Sequence, residues 1–233
     1  MSDIVIIRHV AHEGPGYLAD VLRENNLEFR LVRVDAGEPI PSSLAAFGGI
    51  VFMGGPMSVN DPLPWIGDAV RLIRAALDAD VPVLGHCLGG QLIAKAMGGV
   101  ITRNQVPEFG WHSIACVKSV ATETWIRDLP PEFDAFHWHG ETFSLPAGAH
   151  HLFRNEYCTN QGFVSGPTLA LQCHIEMTDG LIRDWISRAA PGELGGRPST
   201  PDAATILADT ESKLEQMRMH ASVLYRRWFE GLK

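Results

Sequence analysis

Three short stretches of the chain carry side chains that could act together on a carbonyl group. Gly85-His86-Cys87-Leu88-Gly89 places one cysteine between two glycines, where the apolar run Val81–Leu84 gives way to a helical pattern. A thiol there faces the free N–H groups and the positive end of the helix dipole, both of which favour a thiolate. The two glycines allow a sharp turn, the geometry of a nucleophile elbow with sulfur in place of oxygen. Taken alone, the same residues are equally a tight turn around a buried cysteine. The second stretch is Gln172-Cys173-His174-Ile175-Glu176. Side chains two apart on a strand share a face, so His174 and Glu176 are expected side by side at the carboxyl end of a strand over Leu169–Ile175. A carboxylate beside an imidazole fixes its tautomer and supports the imidazolium, so the imidazole can take a proton from a thiol. Alone, His-x-Glu is a common polar pair. The third stretch, Gly54-Gly55-Pro56, can aim successive N–H groups at an oxyanion, although a Gly-Pro turn by itself says little. Together the three supply donors, nucleophile, base and orienting acid.

Those stretches meet only if the elements around them bring them to one edge. Asp3–Arg8, Phe29–Val34, Gly49–Met53 and Val81–Leu84 read as short buried strands. Helical spacing over Tyr17–Asn25, Ile66–Leu77 and Leu88–Met97 alternates with them. Fully apolar strands alternating with helices predict an α/β fold: an open, mostly parallel, flavodoxin-like sheet with helices on both faces. Ligands bind such sheets outside the carboxyl ends of the strands, where Gly54-Gly55-Pro56 and Cys87 both fall. Beyond about residue 100, Trp111–Val117, Phe133–Trp138, His150–Arg154 and Thr168–Ile175 read as added antiparallel strands. Thr178–Ala189 reads as a helix, Pro191–Pro201 as a loop, and Asp202–Phe229 as one long C-terminal helix. The expected organisation is a catalytic domain over residues 1–190, with residues 191–233 a loop and helix packed on it. An apolar stripe on that helix leaves oligomerisation open.

Composition narrows the partners. The chain has 233 residues, 45% of them hydrophobic, enough for a sizeable core without staples. A formal net charge of −8 argues against nucleic acid as a partner. Cys87, Cys116, Cys158 and Cys173 show no CxxC spacing, and no apolar run approaches membrane-spanning length. Without a secretory signal pattern at the N-terminus, a cytoplasmic protein with reduced thiols is expected. His137, His139, His150 and His151 lie close in sequence, and His137 and His139 share a face if extended. No third ligand appears at a recognisable spacing, so no metal and no cofactor are expected.

The motifs resemble a known family. Gly85-His86-Cys87-Leu88-Gly89-Gly90-Gln91 is similar to the G-x-C-x-G-x-Q signature of class I (triad) glutamine amidotransferases. Gln172-Cys173-His174-Ile175-Glu176 resembles their Q-x-H-P-E signature, and Gly54-Gly55-Pro56 their G-G-P turn. Glu108-Phe109-Gly110-Trp111 and His139-Gly140-Glu141 resemble further segments of the glutaminase domain of GMP synthetase. The resemblance spans roughly residues 3 to 190 and points to the free-standing GMP-synthetase-like branch, which includes γ-glutamyl peptidases. It implies that Cys87 attacks a γ-glutamyl carbonyl, His174 is general base and then acid, and Glu176 orients His174. It further implies that the N–H groups of Gly55 and Leu88 hold the oxyanion. Gln91 and the backbone around Trp138, Gly140 and Glu141 would contact the glutamyl group. Two residues depart from the pattern: Ile175 replaces the usual proline, and His86 a commonly apolar residue. The implied activity is hydrolysis of glutamine through a thioester, with ammonia passed to an acceptor. Two alternatives stay open, a stand-alone γ-glutamyl peptidase and a non-catalytic glutamine-binding module. A synthetase subunit that accepts ammonia is the macromolecular partner the resemblance implies.

Overall fold

The computed structural model describes residues 3–44 and 47–233. In chain order the elements are β1 (Asp3–Arg8), α1 (Gly16–Glu24), β2 (Phe29–Arg33), β3 (Phe47–Phe52), α2 (Pro64–Asp78), β4 (Val83–His86), α3 (Leu88–Ala96) and β5 (Ile101–Cys116). There follow α4 (Glu123–Ile126), β6 (Glu132–Phe143), β7 (His150–Arg154), β8 (Gly162–Ser165), β9 (Thr168–Leu171), α5 (Asp179–Arg188), α6 (Ala203–Ala208) and α7 (Thr210–Phe229). The strands form one sheet in the order β2-β1-β3-β4-β9-β8-β7-β5-β6. From β2 to β9 neighbours run parallel. From β9 to β6 they run antiparallel. This is the expected α/β architecture, a parallel sheet extended by antiparallel strands.

Strand alternation divides the core in two. Ile4 and Ile6 of β1 point to a cluster with Leu18 and Leu22 of α1, Ile182 and Trp185 of α5, and Leu214, Met217, Leu224 and Trp228 of α7. Val5 and Ile7 point the other way, onto Ile66, Leu72 and Ile73 of α2 and Leu92 and Ile93 of α3. Strands covered on both faces need no polar side, which is why they read as unbroken apolar runs. Residues 203–229 share the first cluster with β1, so the C-terminal helices are built into the core of the preceding chain.

Three expectations need correcting. The last strand stops at Leu171, so His174 and Glu176 do not ride on it. Past that point His174 makes a single bridge, its backbone N–H donating to Phe136 O at 2.8 Å. The long C-terminal helix is broken at Asp209, whose φ and ψ of −118° and 17° leave the helical region. There the Thr210 hydroxyl turns back to the Ile206 carbonyl at 2.7 Å, a local bond that competes with the regular ladder. Finally, β5 and β6 are far longer than the runs Trp111–Val117 and Phe133–Trp138 suggested, and β8 was not anticipated. Polar residues such as Thr102 and Arg103 mask the first part of β5, and their extended form is imposed by pairing with β6.

Candidate active site

Cys87 joins β4 to α3 with φ of 49° and ψ of −106°, outside the region an L-residue favours. Such a conformation costs about 1–3 kcal/mol and persists only when its surroundings impose it. Here the Cys87 N–H donates to Leu171 O at 2.8 Å and its carbonyl accepts from Gln91 N–H at 2.9 Å. Neighbouring glycines let α3 lie flat on the sheet: a methyl on Gly89 would overlap the Phe52 carbonyl, and one on Gly90 the Leu171 carbonyl. The result is an elbow that lifts the thiol off the sheet edge.

His174 is buried behind that edge, and its Nδ1–H donates to Glu176 Oε1 at 2.7 Å. Burial alone would lower the imidazole's pKa. The charge of Glu176 and the neighbouring Cys87 side chain outweigh it and raise His174 well above the ordinary histidine value. Burial would likewise raise Glu176, but His86 and His174 against its two oxygens hold it below the usual carboxylate range. Among the described residues His174 Nε2 has no hydrogen-bond partner at normal distance. Burial pushes the thiols of Cys116 and Cys158 up to about 11, and Cys173 higher than ordinary as well, so those three are unsuited to nucleophilic work.

The third stretch arrives beside the first two. A methyl on Gly55 would lie 2.8 Å from Leu88 Cδ2, so the Gly-Gly-Pro turn abuts the start of α3. His9, at the end of β1, fixes that turn by donating Nδ1–H to Gly54 O at 3.1 Å. Burial pushes His9 down to about 4, so it acts as a neutral donor, stacked 4.7 Å from Trp65. A cavity of about 510 Å³ opens next to Cys87, lined in part by Gly55, Gln91, Trp138, Gly140, Glu141 and Asp61. Of the residues singled out from the motifs, Gly55, Cys87, Gln91, Trp138, Gly140 and Glu141 line this cavity, whereas His174, Glu176 and Leu88 are not among its lining residues. Trp138 stacks on Phe109 at 4.8 Å, and its carbonyl lies 4.0 Å from Cys87 Sγ. Glu141 accepts from the Ser58 hydroxyl at 3.0 Å. Gln91 donates to Gln172 Oε1 at 3.2 Å, and Gln172 in turn approaches Cys87 Sγ at 3.6 Å.

Comparison with known proteins places the chain in a family. A family model described as glutamine amidotransferase class-I matches residues 16–186. The chain belongs to the class-I glutamine amidotransferase family. It is 29% identical over 189 residues to the glutamine amidotransferase-like protein YfeJ of Salmonella typhimurium, covering 75% of this chain and 77% of that one. It is 34% identical over 137 residues to a subunit of the glutamine-hydrolysing GMP synthase of Sulfolobus acidocaldarius, covering 58% of this chain and 70% of the relative. Among solved structures, a glutamine amidotransferase from Methylobacillus flagellatus superposes with a TM-score of 0.95 at 38% identity, covering 100% of this chain and 96% of that one. One from Thermotoga maritima gives a TM-score of 0.87 at 31% identity, covering 98% of each.

Around this pocket lie residues that spacing did not reveal. Glu108 on β5 accepts from His139 Nε2 at 3.1 Å, from Gln161 at 2.6 Å and from Asn155. The other nitrogen of His139, Nδ1, donates to Glu141 O at 3.0 Å. Burial alone would raise Glu108, but His137, His139 and Asn155 outweigh it and hold it at about 2. Burial pushes His137 down to about 3, with the charge of Glu108 opposing. Glu108 is also the third ligand type that the histidine spacing lacked: its oxygen and nitrogens of His137 and His139 lie within 4.8 Å of one another. Its oxygens are engaged by side-chain hydrogen bonds from His139, Gln161 and Asn155, which brace the β5–β6 ribbon behind the pocket. The other newcomers are Glu13, in the turn after β1, and the pair His86–Tyr225, whose Nε2 and hydroxyl lie 3.1 Å apart. The shared position at strand carboxyl ends was the signal available for Glu13; Tyr225 comes from 139 residues away and left none.

Proposed function

We propose that this class-I glutamine amidotransferase hydrolyses γ-glutamyl amides through a covalent intermediate on Cys87. The observation that carries the reading is the strained elbow at Cys87 facing the free nitrogen of a histidine whose other nitrogen is held at 2.7 Å by Glu176. The chemistry follows from these positions. His174 takes the thiol proton as Cys87 Sγ attacks the γ-carbonyl carbon, and the N–H groups of Gly55 and Leu88 receive the developing oxyanion. His174 then gives that proton to the leaving nitrogen, the C–N bond breaks and a γ-glutamyl thioester remains. Water attacks the thioester, its proton passing to His174, and glutamate leaves as the proton returns to sulfur. Gln91, Trp138, Gly140 and Glu141 frame the glutamyl portion.

Two fates of the nitrogen are compatible with this reading. The relative from Sulfolobus acidocaldarius, named as one subunit of a GMP synthase, supports transfer of ammonia to a synthetase partner. Stand-alone hydrolysis is the other, and Glu193, in the segment after α5, lines the pocket together with Cys87. The test is glutamate release from glutamine and from γ-glutamyl amides by the wild type and by Cys87→Ser, with selective alkylation of Cys87 followed by mass spectrometry. Absence of turnover together with an unreactive Cys87 would refute the proposal.

A further inference from the structure

Cys87 lies between two cavities, and the proposed chemistry uses only one. The second, of about 380 Å³, shares Gly55, Pro56, Cys87 and Trp138 with the first and extends past His12, Glu13, Trp185 and Arg188. Ammonia needs a volume on the order of a single water, about 30 Å³, so this space is far larger than the nitrogen leaving from glutamine requires.

Its walls have a definite chemistry. Trp138 and Trp185 stand edge to face with centroids 6.1 Å apart, and Trp185 also packs against the His174 ring at 4.8 Å. Trp185 Nε1–H donates to His12 O at 2.9 Å, tying the turn after β1 to α5 and holding the cavity open. Glu13 is directed into this space beside His174: a methyl on Gly54 would overlap Glu13 Oε2 and lie 3.1 Å from His174 Cε1. The Glu13 side chain is 12% exposed, and its nearest ionic neighbour, His12, is 3.9 Å away. Among the described residues its carboxyl group accepts no hydrogen bond, so its oxygens are free to accept from a group that enters the cavity. Burial pushes Glu13 up to about 7, with the charge of His174 opposing and that of Glu176 adding. Arg188, the guanidinium among the lining residues, is already committed to Asp184 by contacts of 2.7 and 3.0 Å. A leaving group bearing a carboxylate would therefore meet Glu13 and Glu193 with no uncommitted Lys or Arg among the lining residues to offset them.

From this geometry we propose that the second cavity is a leaving-group subsite, which selects γ-glutamyl amides of primary amines carrying an apolar or cationic substituent, with Glu13 accepting a hydrogen bond from the amine. The inference rests on the γ-glutamyl hydrolysis proposed above and names its substrate class. The departing nitrogen takes its proton from His174, and the free amine forms against Glu13, beside the two indoles. Aromatic faces and a carboxylate suit an ammonium or alkyl group better than an amino acid.

The test measures kcat/KM for glutamate release from glutamine, γ-glutamyl ethylamide, the γ-glutamyl amide of 1,4-diaminobutane, and γ-glutamylglycine. The wild type is expected to prefer both amine amides over glutamine by tenfold or more, with γ-glutamylglycine below either. Glu13→Gln is expected to lower the diaminobutane-amide to glutamine ratio at least tenfold. Ala189→Phe, which fills the cavity from its rim without truncating a core side chain, is expected to lower both amide ratios. Hydrolysis of glutamine without preference for any substituted amide would overturn the subsite and leave the hydrolase reading intact. A wild-type preference that neither variant changes would also overturn it. No turnover of any substrate, with Cys87 unreactive, would overturn both.

Discussion

Replacing Glu176 with glutamine separates the charge of the proposed triad from its shape. The substitution keeps the size of the side chain and an oxygen able to accept from His174 Nδ1, but removes the negative charge 2.7 Å from the ring. His174 is fully buried, and Glu176 is what overcomes the burial that would otherwise lower its pKa. Removing one member of a buried charge pair costs about 3–5 kcal/mol, and here the cost falls on the imidazolium that must form as Cys87 is deprotonated. At about 1.4 kcal/mol per decade, kcat/KM is expected to fall roughly 10²- to 10⁴-fold. The assay is glutamate release across pH, paired with the rate of Cys87 alkylation by iodoacetamide, which reads thiolate formation without turnover. Near-UV circular dichroism checks the fold. Activity within tenfold of wild type in a folded variant would refute the reasoning, because His174 would then not depend on the Glu176 charge.

Three further outcomes follow from other contacts. His86→Phe strips the Nε2–H from its position 3.7 Å from Glu176 Oε2, an oxygen with no hydrogen-bond partner among the described residues. Glu176 should then protonate more readily, moving the acid limb of the kcat/KM profile to higher pH; a limb that stays put or moves lower would contradict this. Gly89→Ala would drive a methyl into the Phe52 carbonyl, backbone against backbone, so α3 must lift from the sheet. A stability loss of about 3 kcal/mol in urea titrations is expected, with slower Cys87 alkylation. Glu108 is held at about 2, below the ordinary 4.5, so its stabilisation is fully present above about 4.5 and is lost as pH falls toward 2. The shift corresponds to about 3 kcal/mol, so wild type should lose more stability than Glu108→Gln on acidification from about pH 6 to about pH 3, and parallel curves would refute it.

Much of this was legible in the chain. The apolar runs at β1, β3 and β4 could only be strands covered on both faces, since none offers a polar side to water. That fact places Gly54-Gly55-Pro56 and Cys87 on a common edge. Glycines on both sides of Cys87 mark the elbow because strand and helix approach there more closely than any Cβ permits. His174 and Glu176 were found by the same reading but for a partly mistaken reason. They meet beyond the end of β9, where the chain bridges to Phe136, rather than by alternation along a strand.

Local pattern says which side chains lie on one element, and that sufficed to single out Cys87, His174 and Glu176. It says nothing about groups that reach a site from another element. Glu13 becomes unusual only because the turn after β1 is folded under Trp185 and beside His174, which draws it away from bulk water. His86 reads as a stray polar residue until Tyr225 of the last helix closes on one side of it and Glu176 on the other. Glu108 acquires its charge state from His139, Asn155 and Gln161, none of them near it in sequence. Residue order along the chain was thus enough for the parallel strands, the elbow and the candidate nucleophile with its partners. The second cavity and the ionisation of the groups around it came only with folding, because burial and the distance between charges exist only once the chain has closed on itself.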